Sequence, residues 1–357
     1  MKVKINNLEI SSTIFLLIFS CTLGIAPFIS LRICSIDSYI SAVIGSIIGI
    51  IPLFIYLYIF NYEIDKPLNE KTKIIFGKVF GTIINYLTIP FLLILGITSL
   101  FNISNFVISQ FLTDTPLLLI SAIVALTGLY IARKGIKTIT KTSFIYAIII
   151  LIIVLIAVFG LFKEMKFDNL KPILEYGLKK PFLAGLFNAI NFTIPMFTTL
   201  LIPKNDIENN NKTTKYIIIT YLIASVIIFL VSLIPSTVLG KYLVNIYQYP
   251  VYITLKKISF FNFIDRIENF LSIQWILSGI MTIAMVIFAI SKNITSKRNS
   301  SIIDYILTII MIIMPRILFK NNTTFNEYLY KLYPYLMLPL LIIYIIIFIG
   351  IIFKKKK

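Results

Sequence analysis

Polar side chains that could bind a ligand lie inside the apolar stretch 183–203, just before Pro195. They are Asn188, Asn191 and Thr193. At about 1.5 Å per residue, a helix of this length would cross a bilayer. Pro195 has no backbone N–H and its ring crowds the carbonyl four residues earlier, so the helix is not expected to continue unbroken. Because lipid offers no partners to the freed backbone groups, the break is predicted to face a cavity or a ligand inside the protein. The alternative is a kinked helix whose polar side chains only join neighbouring helices.

A second interruption lies in the first apolar run, residues 10–33. The residues at its centre are Thr22, Leu23, Gly24 and Ile25, followed by Pro27. Many transporters consist of two repeats in opposite orientation, with the ligand site where interrupted helices of both repeats meet. Half-helix amino termini there would face an anionic group, and free carbonyls would face an ammonium group or a cation. The two breaks therefore predict a binding site near mid-membrane, with Pro27 and Pro195 as hinges.

Two other apolar segments would supply further walls of this site. Thr98 and Asn102 interrupt the apolar face of the third segment, and Ser278 interrupts that of the eighth. Each of these residues alone is more often a packing residue than a ligand contact. The full set of candidate ligand-binding residues is Thr22, Leu23, Gly24, Ile25, Thr98, Asn102, Asn188, Asn191, Thr193 and Ser278.

The composition defines the elements that must position these residues. With 58% hydrophobic residues and a mean hydropathy of +0.94 over 357 residues, the chain is predicted to be an all-α polytopic membrane protein. About ten apolar segments are expected to form a single transmembrane domain, 1–357, with inverted halves at approximately 8–163 and 181–353. In this 5+5 arrangement the first and sixth helices are the broken ones.

The charge pattern predicts the orientation of the chain. The formal net charge is +18, and most Lys and Arg residues lie in short connections beside apolar segments. With the amino terminus inside, the inner connections carry the larger share, so both termini are expected in the cytoplasm. The partner that this charge indicates is the anionic surface of the lipid bilayer, with no role for nucleic acid.

Catalytic and metal-binding groups are scarce. The chain has no histidine, and its cysteines, Cys21 and Cys34, form neither a zinc pattern nor a disulfide framework. We find no nucleophile with a nearby base and no phosphate-binding loop, so we expect no enzyme activity, no cofactor and no metal.

The connection 241–268 is rich in aromatic and basic residues but too interrupted to cross a membrane. It fits an interfacial helix lying on the outer surface, where Tyr and Phe settle at headgroup depth. It fits equally well an ordered cap packed on the helix bundle.

Short motifs follow one another along nearly the whole chain. They are Pro27 with Asp37-Ser-Tyr-Ile-Ser41, Phe76-Gly-Lys-Val-Phe-Gly81, Thr113-Asp-Thr-Pro116, Tyr130-Ile-Ala-Arg-Lys-Gly-Ile136, and Tyr249-Pro250 with Phe263-Ile-Asp-Arg-Ile-Glu268 and Trp275. In this order they resemble the B subunit of spore germinant receptors, a branch of the amino acid/polyamine/organocation transporter superfamily. The resemblance implies a LeuT-like fold and a subunit of the spore inner membrane. It also implies a small germinant as ligand, an amino acid or similar, and A-type and C-type subunits as partners.

The resemblance assigns a structural role to residues outside the predicted pocket. Asp265, Arg266 and Glu268 could form an ion network at the outer mouth of the eighth segment, because Arg offers a fork to carboxylates. With Trp275 they would fix the outer loop. Their alternative is an ordinary exposed charge cluster that contributes little to stability.

Two departures from the family pattern bear on the ligand. The first break has one glycine, Gly24, where the family commonly has two, and Asn188 and Asn191 occupy the region where an acidic residue is often found. A pocket without that carboxylate is expected either to prefer a different germinant or to have lost tight recognition of an amino group. Two other functions remain open: a secondary amino-acid transporter with the same fold, and a structural membrane subunit with a vestigial pocket.

Overall fold

The computed structural model describes residues 4–22, 24–175, 177–258, 267–295 and 301–355, and the regular secondary structure of this part is helical, apart from one isolated pairing of Ile5 with Ile207. The α-helices are α1 Asn7–Thr22, α2 Ala26–Cys34, α3 Ser38–Ile48, α4 Ile50–Asn61, α5 Leu68–Phe76, α6 Lys78–Gln110, α7 Leu117–Lys134, α8 Ile136–Leu161, α9 Lys179–Thr193, α10 Asn210–Ile246, α11 Pro250–Leu255, α12 Ile267–Leu271, α13 Ile273–Ile294, α14 Ser301–Leu318, α15 Asn322–Lys331 and α16 Tyr333–Lys355. Short 3₁₀ segments lie at Ser35–Asp37, Phe162–Glu164, Phe167–Leu170, Ile194–Leu201 and Lys204–Asp206.

The prediction of an all-α polytopic membrane protein is confirmed, but the number of spans is smaller than expected. Within the described residues, eight helical stretches are long and apolar enough to cross a membrane. A ninth is obtained if Ile302–Leu318 and Asn322–Lys331, which meet at 100°, form one bent span. The difference from ten arises at the amino-terminal end, where Ala26–Asn61 is one stretch of 36 residues and Asn7–Cys21 is a shorter apolar helix.

Contacts with α10 show how this amino-terminal region is laid out. The Thr213 hydroxyl, near the start of α10, donates to Asn7 Oδ1 at 2.6 Å, and Thr214 donates to Asn61 Oδ1 at 3.4 Å. At the other end of α10, Asn245 Nδ2 donates to Ser35 Oγ at 2.6 Å. The chain therefore runs along the bundle from Asn7 to Ser35 and returns to Asn61. We call these two regions the Asn61 end and the Ser35 end of the bundle.

The connections that the charge pattern predicts on one side meet at the Asn61 end. Lys204 Nζ donates to Asn61 Oδ1 at 2.6 Å, and Asn69 Nδ2 donates to the carbonyl of Lys292 at 2.9 Å. Lys354, near the carboxyl end of the chain, donates to the carbonyl of Ile74. Both described ends of the chain thus lie at the same end of the bundle.

The Ser35 end is closed by segments that pack onto the helices. The carboxylate of Asp37 accepts from the backbone N–H of Leu174 at 3.1 Å. In α11, Tyr252, Thr254 and Leu255 are buried. Such burial is the packing expected of an ordered cap, the second of the two alternatives for the connection 241–268, of which residues 259–266 lie outside the described part.

Helices α3 and α9 make the closest helix contact that bears on the site. A Cβ atom on Gly45 would lie 2.9 Å from the carbonyl oxygen of Gly185 and 2.7 Å from Asn188 Cβ. Small residues allow two helices in lipid to approach closely, and the contact is stabilised by van der Waals packing. This close approach fixes the helix that precedes the second break.

A buried lysine joins two elements at the Asn61 end. The Lys71 ammonium, 1% exposed, donates to the carbonyls of Ile59 at 2.9 Å and Phe60 at 3.2 Å, the last turn of α4. A cation at a helix carboxyl terminus satisfies carbonyls that have no helical partner. Burial, reinforced by the charge of Lys204, lowers the pKa of Lys71 from 10.5 to about 7, and Glu63 acts in the opposite direction.

The lowered pKa predicts how stability depends on pH. Above a pH of about 7 the folded chain holds Lys71 neutral while the unfolded chain still binds the proton, so stability rises with pH until the ordinary pKa of 10.5 is approached. We expect the melting temperature of the purified protein to rise from about pH 7 to about pH 9. In Lys71→Met this rise is expected to be much smaller. Lys73→Met, an exposed position on the same helix, serves as the control and should keep the wild-type slope. An equal slope in Lys71→Met would contradict the assignment.

Candidate functional site

The first break separates α1, which ends at Thr22, from α2, which begins at Ala26, and its described residues are Gly24 and Ile25. Gly24 has φ +87°, a left-handed conformation that glycine adopts without steric cost. Pro27 lies in the first turn of α2, where its missing N–H has no helical partner in any case. Gly24 therefore makes the break, and Pro27 starts the helix that follows it.

The second break is a change of helix type. Helix α9 ends at Thr193 and continues as the 3₁₀ segment Ile194–Leu201, with Pro195 in its first turn. Eight residues is long for a 3₁₀ helix, which rarely exceeds 3–4, and such stretches often mark hinges. The prediction that the helix would not continue unbroken at Pro195 is confirmed.

Asn191 has unused hydrogen-bonding groups at this second break. The side chain is 2% exposed, and neither Oδ1 nor Nδ2 has a partner in the described part of the protein. Its own carbonyl also lacks the usual α-helical donor, because Pro195 has no N–H. A buried polar group without a partner costs roughly 1–3 kcal/mol. Asn191 is therefore a group that a polar ligand would stabilise.

The interrupted helices pack directly against each other. Helix α1 contacts α9, the 3₁₀ segment Ile194–Leu201 and α13. Ser20 Oγ and Thr282 Oγ1 lie 2.5 Å apart and join α1 to α13. The hydroxyl of Ser30 in α2 donates to Asn188 Oδ1 in α9 at 3.0 Å. These contacts join the interrupted helices to each other and to α13.

A small cavity of about 10 Å³, room for roughly one water molecule, lies beside the first break. The residues that line it come from five parts of the chain: Ser20, Gly24, Asn102, Ile103, Phe106, Tyr249 and Trp275. A Cβ atom on Gly24 would lie 3.0 Å from Asn102 Nδ2, so glycine is also needed there to make room for the amide. The first break thus forms one wall of the cavity and α6 forms another.

The cavity lining combines aromatic rings with uncharged polar groups. The Phe106 ring packs edge-on against Tyr249 and Trp275, with centroids 5.1 Å and 4.4 Å apart. The Tyr249 hydroxyl accepts from Asn105 Nδ2 at 2.7 Å, whereas the buried indole N–H of Trp275 has no partner among the described residues. Such a lining provides a hydrogen-bond donor for a carboxylate or carbonyl group. Its aromatic rings can accommodate an apolar side chain or the face of a cation.

Other predicted ligand-binding residues already have protein partners. Asn188 accepts from Ser30 and donates to Ser41 Oγ at 3.2 Å. The Thr98 hydroxyl lies 3.0 Å from the Tyr328 hydroxyl. These bonds show helix packing at both positions and supply no free group to a ligand.

Two hydroxyls bond within their own helices, and Ile25 is apolar. Thr193 donates to the Ala189 carbonyl at 2.7 Å, and Ser278 donates to the Gln274 carbonyl at 2.9 Å. Ile25 is fully buried in the hydrophobic core. Of the ten predicted ligand-binding residues, the structure brings Gly24 and Asn102 together at the cavity.

Some predicted residues lie outside the part of the chain that the structure describes. These are Leu23, the side chain of Thr22, and both Asp265 and Arg266. Glu268 is described and is 8% exposed, in α12. The ion network of the outer mouth therefore stays a prediction.

Five of the residues that line the cavity were not in the predicted ligand-binding set: Ser20, Ile103, Phe106, Tyr249 and Trp275, the last of which was predicted only to fix the outer loop. Phe106 lies four residues after Asn102 on α6, so the two share a helix face, and this spacing could have identified Phe106 from the sequence. Ser20 lies near the end of α1, four residues before Gly24, which is outside that helix. Tyr249 comes from the cap, and no local pattern places it beside α6.

The fold and this site define a polytopic α-helical membrane protein with two interrupted helices in contact at its centre. The family model for spore germination proteins matches residues 9–325, and the chain belongs to that family. The match confirms the resemblance to the B subunit of spore germinant receptors that the motifs indicate.

Curated relatives agree with the family. The chain is 24% identical to spore germination protein KB of Bacillus subtilis (strain 168) over 258 residues, which is 68% of this chain and 67% of the relative. It is 25% identical to spore germination protein XB of Bacillus anthracis over 243 residues, 66% and 67% of the two chains. A putative spore germination protein, YfkT of B. subtilis, is 26% identical over 172 residues, 48% and 46% of the two chains.

The contact between Gly24 and Asn102 can be separated from the backbone cost at Gly24. In Gly24→Ala the left-handed backbone conformation destabilises the fold by roughly 1–2 kcal/mol, and the new methyl group lies against the Asn102 amide. Gly77→Ala is the matched control, because φ at Gly77 is +82° and nothing lies within 4 Å. We expect the melting temperature of the purified protein to fall in both variants and to fall further in Gly24→Ala.

Adding Asn102→Ala to Gly24→Ala should recover the difference, as in a double-mutant cycle. An equal fall in melting temperature in Gly24→Ala and Gly77→Ala would show that the Asn102 amide makes no close contact with residue 24.

Proposed function

We propose that this chain is the membrane-embedded subunit of a spore germinant receptor, and that it binds a small nutrient, an amino acid or similar, between its interrupted helices. The observation that carries the proposal is the cavity at the first break, where Asn102 meets Gly24 and the indole N–H of Trp275 lacks a partner in the described residues. This role needs no catalytic group, no cofactor and no metal.

The bound nutrient is held without an ion pair in this proposal. Among the described residues, those that line the cavity include no carboxylate, so an ammonium group would rest on aromatic faces and on amide or carbonyl oxygens. The carboxylate of an amino acid would accept from the Trp275 indole N–H. In this proposal the helices rearrange at the breaks so that the cavity widens to admit the ligand, and Asn191 would complete the site from the second break.

The mechanism is a shift between two packings of the same helices. A ligand shifts such an equilibrium only by its difference in affinity for the two states. The Asn191 amide lacks a partner in the packing described here. In the other packing it would bond to the ligand, and this bond gives the ligand its difference in affinity. Gly24 and the 3₁₀ segment Ile194–Leu201 are the places where the backbone can turn. Partner subunits of A-type and C-type would receive the change.

The arrangement in the membrane is part of the proposal. In this arrangement the chain crosses the membrane once from Asn7 to Ser35 and a second time on its return to Asn61. With α14 and α15 counted as one further span, the chain has ten spans in two inverted halves. The gathering of Lys71, Lys204 and Lys354 at the Asn61 end supports a cytoplasmic location for that end and for both termini. The family membership supports the inner membrane of the spore.

Substitutions at the two breaks test the proposed ligand site. In spores whose only copy is Asn102→Leu or Asn191→Leu, we expect the nutrient concentration for half-maximal germination to rise about tenfold or more. Each variant loses hydrogen bonds to the ligand that contribute roughly 1–1.5 kcal/mol apiece. Germination is followed by the loss of optical density across a panel of nutrients, and immunoblots of the inner membrane measure the amount of protein.

Asn188→Leu is the matched control, because Ser30 and Ser41 already bond to that amide. It is expected to lower the amount of protein but to leave the half-maximal concentration unchanged. An unchanged dose response in both break variants would refute the pocket. Uptake of a labelled amino acid by proteoliposomes that contain this chain alone would identify a transporter instead.

A further inference from the structure

A basic cleft lies at the Asn61 end, away from both breaks. It has a volume of about 430 Å³, is open to the surface, and lies between the end of α7 and the start of α14. The residues that line it are Leu126, Leu129, Tyr130, Arg133, Lys134 and Tyr305. Part of this set belongs to the motif Tyr130-Ile-Ala-Arg-Lys-Gly-Ile136, to which the proposed function assigns no role.

The cationic groups of the cleft are held in place by tyrosine side chains. The Arg133 guanidinium donates to the Tyr305 hydroxyl, and its Cζ lies 4.8 Å from the centroid of that ring. Lys134 Nζ lies 5.3 Å from the centroid of the Tyr130 ring. Ring contacts of this kind orient a cation and leave its remaining N–H donors available.

Neither cation is neutralised by an ion pair within the described part of the chain. The salt bridges found there involve other residues. Asp304 is close enough for the charge of Arg133 to act on it, and its carbonyl and carboxyl groups engage Thr308 and Ser291. The cleft therefore keeps a net positive charge beside Asp304.

The apolar part of the cleft continues onto the surface that would face lipid. Leu129, which lines the cleft, is buried. Leu126 and Ile123, one and two turns before it on α7, are 53% and 56% exposed. Tyrosine at headgroup depth with Arg or Lys beside it is the usual pattern at a membrane interface. The cleft thus has a charged upper part at the bundle end and an apolar lower part along the bilayer.

We propose that this cleft binds one anionic phospholipid. The phosphate group lies between Arg133 and Lys134 and accepts from the Tyr130 hydroxyl, and an acyl chain lies along Leu126 and Leu129. A basic pocket between membrane helices, next to an apolar groove, matches a phospholipid in both charge and shape. The bound lipid would link α7 to α14.

A simpler role for the same cations is to stabilise the carboxyl end of α7 and to set topology. Both residues are in the last turn of that helix, where positive charge is favourable. Lys137 and Lys141 on α8 follow in the same connection and are at least partly exposed, but they do not line the cleft. Lys137 and Lys141 provide a matched test. A purely electrostatic attraction to the membrane would depend equally on this pair and on Arg133 with Lys134.

The experiment measures how phosphatidylglycerol stabilises the full-length protein. Purified wild type in detergent micelles is expected to melt at a higher temperature with phosphatidylglycerol than with the same amount of phosphatidylcholine, and native mass spectrometry should show one retained phosphatidylglycerol. In Arg133→Gln/Lys134→Gln the stabilisation and the retained lipid should both be lost. In Lys137→Gln/Lys141→Gln both should remain. Inorganic phosphate alone should not reproduce the shift, because it makes no contact with Leu126.

Three outcomes would overturn the proposal. They are full stabilisation of the Arg133→Gln/Lys134→Gln variant, equal loss in the two double variants, and a shift of the same size with inorganic phosphate. If the first double variant does not fold, Tyr130→Phe and Leu126→Gln replace it, since they remove a phosphate contact and an acyl contact without changing charge. Both must then weaken lipid retention for the proposal to hold.

Discussion

A helix break inside a membrane leaves backbone groups that only the protein can satisfy, and the centre of this structure is arranged around that constraint. The first break needs Gly24 for its left-handed turn, and the second replaces α-helical geometry by the 3₁₀ segment Ile194–Leu201. Neither break faces lipid. They lie on helices in direct contact, with α6 and α13 around them, so the least regular backbone is also among the most deeply enclosed.

Enclosure raises the energetic cost of every polar group that is left without a partner. Most buried polar side chains near the breaks are satisfied by neighbours, as Asn188 is by Ser30 and Ser41. Asn191 and the Trp275 indole are not. In a low-dielectric interior such groups interact strongly with whatever does reach them. This contrast within one bundle distinguishes groups that hold the helices together from groups that are available to a ligand.

Charge is concentrated away from this centre. The chain carries +18, yet the cavity is lined by uncharged residues, and the lysines and arginines with defined contacts lie mainly at the Asn61 end. There they close helix termini, as Lys71 does for α4, or are held by tyrosine rings, as Arg133 is by Tyr305. The same residue types therefore stabilise the bundle internally and offer a surface to anionic lipid.

The sequence by itself determined the class, the family and the position of both breaks. Long apolar runs can only be membrane helices, and Gly24 and Pro195 impose their backbone effects wherever they lie in a fold. Only the tertiary structure decided which side chains meet. Asn188 and Asn191 are three residues apart and equivalent as a pattern, yet one is bonded to two helices and the other has no partner, because neighbour packing sets the rotation of α9. Packing also brought Tyr249 from the cap to Asn105 on α6, a pairing between distant segments that no local spacing encodes. Packing also affects the number of long spans. The turn at Ser35–Asp37 stays helical and Ser35 bonds to Asn245 of α10, so Ala26–Asn61 forms one helical stretch and the number of long spans falls below the expected ten.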